Sequence, residues 1–470
     1  MLISCLYLVG LAGCAVGPDF QAPKIELSDR WQGAPSGGSP QASPAAEELA
    51  AWWRRFNDPI LSSLEERAVR SNLDLKLAAA RVRQARAALG VARGALGPNL
   101  DATASYTRSR SAPVASSGSA IEIEGTESNL YKAGFDAGWE IDIFGGARRN
   151  VEAARADLEA GEEARRDALV TLTAEVARNY AELRTSQQRA AIARQNLAAQ
   201  EHSTRLTRQR FEGGFASGLD VVNAQGQMAT TTAQIPLLES AARQSIYALS
   251  ILLGLEPGAL VEELAPWGQI PPAPPLPPLG VPSDLLRRRP DIRRAEAQIH
   301  AATARIGEAT ADLFPKFTLS GVIGVQSADV DTWFNWSRRI WSFGPSLQWR
   351  LFDSGRTWAD IEQKEALQEQ SLIVYRQTVL ASLRETENAL VALSAEQERH
   401  AALIKAVEAN LKAVELAKLL YTEGQTDFLN VLEAQRSLLL DEDALVQNTG
   451  KLSLEMIALF KALGGGWSEI

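Results

Sequence analysis

Two cysteines, three histidines and one glutamate–arginine pair are the residues of this 470-residue chain whose types and spacing suit chemistry. Cys14 follows Leu11-Ala12-Gly13, the small-residue pattern of a signal-peptide cleavage site, which closes an apolar run from Leu2. Cleavage before Cys14 removes residues 1–13 as a signal peptide and Cys5 with them, so no disulfide framework is possible. His202, His300 and His400 stand without a cysteine or second histidine at ligand spacing, which predicts solvated helix-face histidines and no metal site. Neither a Gly-x-x-x-x-Gly-Lys phosphate loop nor a Gly-x-Ser-x-Gly elbow occurs. Glu433 and Arg436, three apart, can pair on a helix surface for a few tenths of a kcal/mol. The expectation is a protein that is not an enzyme and holds no cofactor.

The N-terminus resembles a bacterial lipoprotein signal, in which the cysteine is acylated and becomes the first mature residue, and this implies covalent lipid on Cys14 as the one addition to the chain. Each buried CH₂ of an acyl chain contributes about 0.8 kcal/mol of membrane anchoring. The following residue is Ala15, not the aspartate that would favour inner-membrane retention, which implies the outer membrane. No Lys or Arg precedes the apolar run, so a start upstream of Met1 is left open. Residues 14–58 are then a lipid-anchored N-terminal segment. No other run approaches the ~18 apolar residues of a spanning helix, so any membrane crossing must be made by strands.

The elements that position these residues come in two copies. A proline-rich linker, residues 266–282, divides repeat 1 (59–265) from repeat 2 (283–470). At an offset of 217, Asp74, Gly90, Ala92, Leu96 and Pro98 match Asp291, Gly307, Ala309, Leu313 and Pro315. At 208, Phe135, Phe144 and Arg148 match Phe343, Phe352 and Arg356. At 210, Gly214, Leu219, Val221, Ala224, Gln225, Leu253 and Gly254 match Gly424, Leu429, Val431, Ala434, Gln435, Leu463 and Gly464. Three blocks in one order are an internal repeat. Outside residues 100–145 and 266–350 the Ala, Arg, Glu and Leu content is that of long helices. The net charge of −9 argues against a nucleic-acid partner.

Each repeat reads helix, strand pair, very long helix, glycine turn, helix. In repeat 1 the first helix covers Pro59 to Leu96 and stops at Gly97-Pro98. The strand pair lies at about 100–143, where Tyr131, Ala133, Phe135, Ala137, Trp139, Ile141 and Ile143 alternate with Lys132, Gly134, Asp136, Gly138, Glu140 and Asp142. Helices over 148–211 and 219–254 follow. Repeat 2 predicts a strand pair at about 317–352, helices over 356–422 and 427–463, and a C-terminal tail. Strands of about ten residues with one apolar and one polar, glycine-rich face suit an outer-membrane barrel, with a soluble half-buried sheet as the alternative. Trp139, Trp333, Trp336, Trp341 and Trp349 favour the membrane, since tryptophan concentrates at its interfaces. Four strands cannot enclose water, because barrels begin at about eight. Several chains must share one.

The uninterrupted helix over 148–211 would be about 96 Å long at 1.5 Å per residue. The two flanking helices, at roughly 57 and 52 Å, together come close to that length, slightly exceeding it, and can stack end to end beside it. Ile404, Val407, Leu411, Val414 and Tyr421 form one heptad seam, and Ala402, Ala406, Ala409, Ala413 and Ala417 a second. Two seams suggest a neighbour on each side, as in a tube of helices; one broad face buried in a bundle is the alternative.

Over nearly its whole length the chain resembles the TolC-like outer-membrane factors, in their lipoprotein (OprM/NodT-like) branch. The stretches that carry the resemblance are Cys14 to Phe20, Trp52-Trp53 with Phe56 to Pro59, Trp139 to Arg149, Val281 to Asp291, Ala434 to Ser437, and Lys461 to Trp467. The resemblance implies a mainly α fold with a membrane β-barrel section. In such a homotrimer a 12-stranded β-barrel continues into a 12-helix periplasmic α-barrel, belted by the chain ends and linker. It further implies a passive duct of a tripartite efflux pump carrying small molecules such as drugs. Its partners would be a periplasmic membrane-fusion adaptor, an inner-membrane transporter of the proton-driven RND type, and outer-membrane lipid. The glycine turns then lie at the periplasmic tip, where Gly213, Gly214, Gly218, Leu219, Gly424 and Gln425 would meet the adaptor. Leu429, Glu433 and Arg436 match the family's constriction, with glutamate where a close relative has aspartate. In a ring of chains each becomes a ring of side chains able to gate. The copies differ here, with Gly213-Gly214 against Glu423-Gly424 and Asn223 against Glu433. The alternatives are the outer-membrane duct of a type I protein secretion system and a purely structural periplasmic coiled-coil spacer. The spacer leaves the four amphipathic strands unexplained.

Overall fold

The computed structural model describes residues 15–33, 46–112, 114–115, 122–123 and 126–468. The signal peptide, Cys5 and Cys14 lie outside them. The main elements are helices α1 (Pro59–Ser71) and α2 (Leu73–Gly94), strands β1 (Asn99–Arg110) and β2 (Glu127–Ile141), and helices α3 (Gly146–Glu212) and α4 (Gly218–Leu252). They are followed by α5 (Pro290–Ala311), β3 (Lys316–Ser327), β4 (Arg339–Gln348), α6 (Arg356–Thr422) and α7 (Phe428–Ala462). The chain forms two compact units, one from Met1–Pro23, Val82–Ala160 and Ala295–Tyr375, the other from Lys24–Arg81, Gly161–Arg294 and Arg376–Ile470. Each draws on both repeats. No helix among the described residues is long and apolar enough to cross a membrane.

The first unit contains one four-stranded antiparallel sheet in the order β1-β2-β3-β4. Each repeat supplies a hairpin, and β2 pairs with β3 to join them. Period-two alternation sets the register, since a one-residue slip would move every apolar side chain to the polar face. One row across the sheet is Ala102, Phe135, Ile323 and Trp341; the next on the same face is Leu100, Ala137, Gly321 and Phe343. The opposite face carries Asp101 directly across from Asp136, whose carboxylate accepts a hydrogen bond from Thr103 Oγ1 at 2.7 Å.

In the second unit the helix expected over Pro59–Leu96 is two helices. Asn72 breaks it, with ψ at 134°. Its Oδ1 accepts from Leu75 N at 2.8 Å, capping α2, and its Nδ2 donates to the Leu252 carbonyl at 2.9 Å. Ser71 Oγ donates to Leu253 O at 2.6 Å, so the C-terminus of α4 ends against the α1–α2 joint. Helix α1 starts at Pro59 behind Asp58, whose carboxylate accepts from the Ile60 and Leu61 amides and from the Tyr180 hydroxyl. Burial pushes the Tyr180 hydroxyl up to about 12.

Chain ends and linker meet in this unit. The rings of Trp52 and Phe460 stack with centroids 5.2 Å apart, Gly466 N donates to Leu49 O at 2.8 Å, and Ser453 Oγ donates to the Pro271 carbonyl at 2.6 Å. A carbonyl of a proline-rich segment has no helical or sheet partner, so buried hydroxyl and guanidinium donors take that place. Arg184 Nη1 does the same for Pro266 O at 2.9 Å.

Candidate functional site

The apolar face of the sheet is uncovered. Trp341 is 74% and Phe343 72% exposed, so among the described residues neither a helix nor a second sheet buries that face. A soluble half-buried sheet needs such a cover. Among the described residues both outer strands, β1 and β4, also present an unpaired edge of ten or more residues, open to pairing with a further strand. The five tryptophans do not form a single belt. Trp139 and Trp349 lie at the helix end of the sheet, while Trp333 lies at the turn end, 5.6 Å from Tyr131, which in turn lies 4.8 Å from Tyr106. Trp341 sits between them, paired with Ile323. From Tyr131 to Trp139 is roughly 26 Å along the strand at ~3.3 Å per residue, or roughly 20 Å along the normal at a tilt of about 40°, close to the apolar band of a membrane barrel.

The residues directly after Cys14 are held at the helix end of this sheet. Val16 N donates to Phe144 O at 3.0 Å, and a Cβ on Gly145 would come within 2.6 Å of the Ala15 Cβ. Arg149, nearly buried, donates to Val16 O, Gly17 O and the Asp19 carboxylate, and pairs with Glu152. Burial pulls the Arg149 guanidinium down, but the bonds to Asp19 and Glu152 more than offset this and hold its pKa above the ordinary value. Here the histidine expectation needs correction. His300 stacks on Phe20 at 4.5 Å and bonds to Glu152 at 3.0 Å, and His400 bonds to Asn448 at 2.7 Å. Only His202 is a solvent-exposed helix residue. Among the described residues no group of His, Cys, Asp and Glu is placed to hold a metal.

The two glycine turns are built alike. Gly214 and Gly424 adopt φ of 78° and 76°, which glycine alone adopts without strain. Phe215 N donates to Arg210 O and Gln425 N to Leu420 O, closing helices α3 and α6 with the same C-terminal cap. Ser217 and Asp220 then form a reciprocal capping box that starts α4. Gly218, Leu219 and Gly213 are exposed around the first turn. Beneath the second, Ala224, Tyr421, Phe428 and Val431 form a buried cluster, and the Arg210 guanidinium lies 4.7 Å over the Tyr421 ring.

This cluster orients α7. Phe428, Val431 and Gln435 face inward, Gln435 Nε2 donating to Ser203 Oγ at 2.8 Å. Leu429, Glu433 and Arg436, at i, i+4 and i+7, form the stripe on the outer face, and Leu429 is 55% exposed. Glu433 and Arg436 approach to 3.6 Å, an exposed pair that contributes a few tenths of a kcal/mol. At an offset of 210 the same stripe on α4 is Leu219, Asn223 and Gly226. The charged positions of the second repeat thus have uncharged counterparts in the first. The absence of a side chain at Gly226 was readable from the repeat but escaped the sequence reading.

Comparison with known proteins gives concordant results. The family model described as "Outer membrane efflux protein" matches residues 64–255 and 281–465. Nodulation protein T of Rhizobium leguminosarum bv. trifolii is 32% identical over 460 residues, 98% of this chain and 96% of that protein. Outer membrane protein OprJ of Pseudomonas aeruginosa is 32% identical over 470 residues, 99% of this chain and 95% of that one. Among solved structures, the outer-membrane channel OprN superposes with a TM-score of 0.89 at 35% identity, covering 97% of this chain and all of that one.

Proposed function

Because the chain belongs to the outer membrane efflux protein family, whose members are channel components and not enzymes, we propose that three copies close one 12-stranded barrel and one helical tunnel, forming a passive exit duct for small molecules. The protein is an outer-membrane efflux channel. The single observation that supports the oligomer is the sheet itself, with an uncovered apolar face and two open edges in the same four strands. Edge pairing between copies would satisfy every strand and enclose the polar face that carries Asp101 and Asp136.

Cys14 is proposed as a second, lipid anchor. Its neighbour Ala15 packs beside Gly145 at the helix end of the sheet, the level at which acyl chains on Cys14 would reach the inner leaflet. The intact mass of the mature protein checks this. Loss of the acyl mass in Cys14→Ser with retention of the protein in the outer membrane is expected; an unacylated wild type would overturn it.

The turns at Gly213-Gly214, Gly218-Leu219 and Gly424-Gln425 are proposed as the contacts to a periplasmic adaptor and through it to a proton-driven inner-membrane pump. Leu429, Glu433 and Arg436 are proposed as the gate, supported by their outward stripe on α7. Single-channel recording in planar bilayers tests both pore and gate. Purified protein should conduct as a trimer, and Glu433→Ala with Arg436→Ala should raise the current severalfold by removing a charged constriction. Unchanged current in that variant would sink the gate assignment.

A further inference from the structure

Arginine occurs on the apolar face of the sheet in two settings. Arg108 and Arg110, in register with Asn129 and Glu127 beyond the Tyr106–Tyr131 row, have a carboxylate partner, Glu127 at 2.6 Å from Arg108. Arg339 lies one row inside those tyrosines, in register with Val325, which pairs with Ala133. No carboxylate among the described residues pairs with it. Its guanidinium donates to the Trp336 carbonyl at 3.1 Å and lies 5.3 Å from the centre of the Trp336 ring. Most of its N–H donors therefore remain open, just inside the aromatic row.

Beside it runs a groove of about 490 Å³ lined by Phe135, Ile323, Val325, Phe334, Trp336 and Trp341, with Gly134 and Gly324 in its floor. Side chains at those two positions would point to the opposite face, and here their backbones touch; a Cβ on Gly134 would come within 2.8 Å of the Gly324 Cα. The groove is apolar along its length and cationic at one end. Acyl chains fit the first property and a phosphate fits the second, since the planar guanidinium offers paired donors to phosphate oxygens.

We propose that this groove is a binding site for a phosphate-bearing, multiply acylated lipid of the outer leaflet, with Arg339 on the phosphate and Trp336 and Trp341 along an acyl chain. The assignment of leaflet rests on the barrel reading above, in which the turn end of the sheet faces outward. The lipid would complete the charge of Arg339 without withdrawing it from the membrane.

The test is native mass spectrometry of the detergent-solubilised protein with added diphosphorylated lipid A and its dephosphorylated counterpart of identical acyl chains. Wild type should retain the phosphorylated lipid about tenfold better, the equivalent of one charge-assisted contact. Arg339→Gln should erase that preference, Arg338→Gln should keep it, and Trp336→Ala should weaken retention of both lipids. A preference that survives Arg339→Gln, unchanged retention in Trp336→Ala, or no preference in a conducting wild-type trimer overturns the proposal alone. A wild type that neither assembles nor conducts overturns the barrel reading, and this inference with it.

Discussion

Trp139 Nε1 donates to the Leu96 carbonyl at 2.9 Å, and its counterpart in the second repeat, Trp349 Nε1, donates to the Leu313 carbonyl at 3.1 Å. In each copy the indole at the helix end of a strand closes the carbonyl left open where the preceding helix stops. Leu96 lies just past α2 and Leu313 just past α5, in the terminal turns whose carbonyls have no intrahelical partner. A single side chain thus serves as interfacial aromatic and helix cap.

Replacing Trp139 with Phe separates those two roles. The ring remains at the interface and only the donor is lost, at about 0.5–1.5 kcal/mol. Trp139→Phe is expected to lower the thermal midpoint of the assembled protein slightly, and Trp139→Ala to lower it by a clearly larger margin. Equal loss in the two variants would show that the hydrogen bond, not the ring, dominates.

The joint at Asn72 has a twin at Arg289. Arg289 Nη1 donates to the Ala462 carbonyl at 3.0 Å, as Asn72 does to Leu252, and it also pairs with Asp291 and Glu385. Asn72→Ala removes a cap and leaves a carbonyl unpaired, a cost on the order of 1–3 kcal/mol. Arg289→Ala strands two carboxylates as well and is expected to cost more. Chemical denaturation of the detergent-solubilised protein ranks the two, and a smaller effect at Arg289 would contradict the equivalence of the joints.

Glu65 is fully buried in α1, and neither carboxylate oxygen has a hydrogen-bond partner among the described residues. Burial pushes its carboxyl well above the usual carboxylate range. The folded state therefore holds a proton that the unfolded chain releases near the ordinary carboxylate pKa. Stability falls as pH rises from there toward the raised folded value. Glu65→Gln, which cannot ionise, should remove this slope and gain on the wild type as pH rises toward neutral, because only the wild-type unfolded chain is stabilised by ionising at this position. Thermal midpoints measured from pH 4.5 to 8 check it; parallel curves for the two proteins would exclude the buried-acid account.

Features set by local periodicity were legible without a structure. The alternation from Tyr131 to Ile141 has period two, and β2 carries it on the predicted faces. The long helices at Gly146–Glu212 and Arg356–Thr422 follow from long proline-free stretches ended by glycine turns, and the turns from Gly214 and Gly424, where φ must be positive. The offset of 210 matched Leu429 with Leu219 and Glu433 with Asn223, while the grouping of Leu429, Glu433 and Arg436 came from the family resemblance.

Contacts between distant segments were decided only by tertiary structure. Nothing next to Asn72 stops a helix, since the stop is a cap completed by a carbonyl 180 residues away; its twin, Arg289, was more legible because Pro290 follows it. His300 looks like a surface histidine until Phe20 and Glu152 close on it from two other parts of the chain. The alternation of the strands likewise determined two faces but not which medium each meets. Only folding showed that Trp341 and Phe343 stay uncovered among the described residues, because burial of a sheet face depends on which distant segments pack on it.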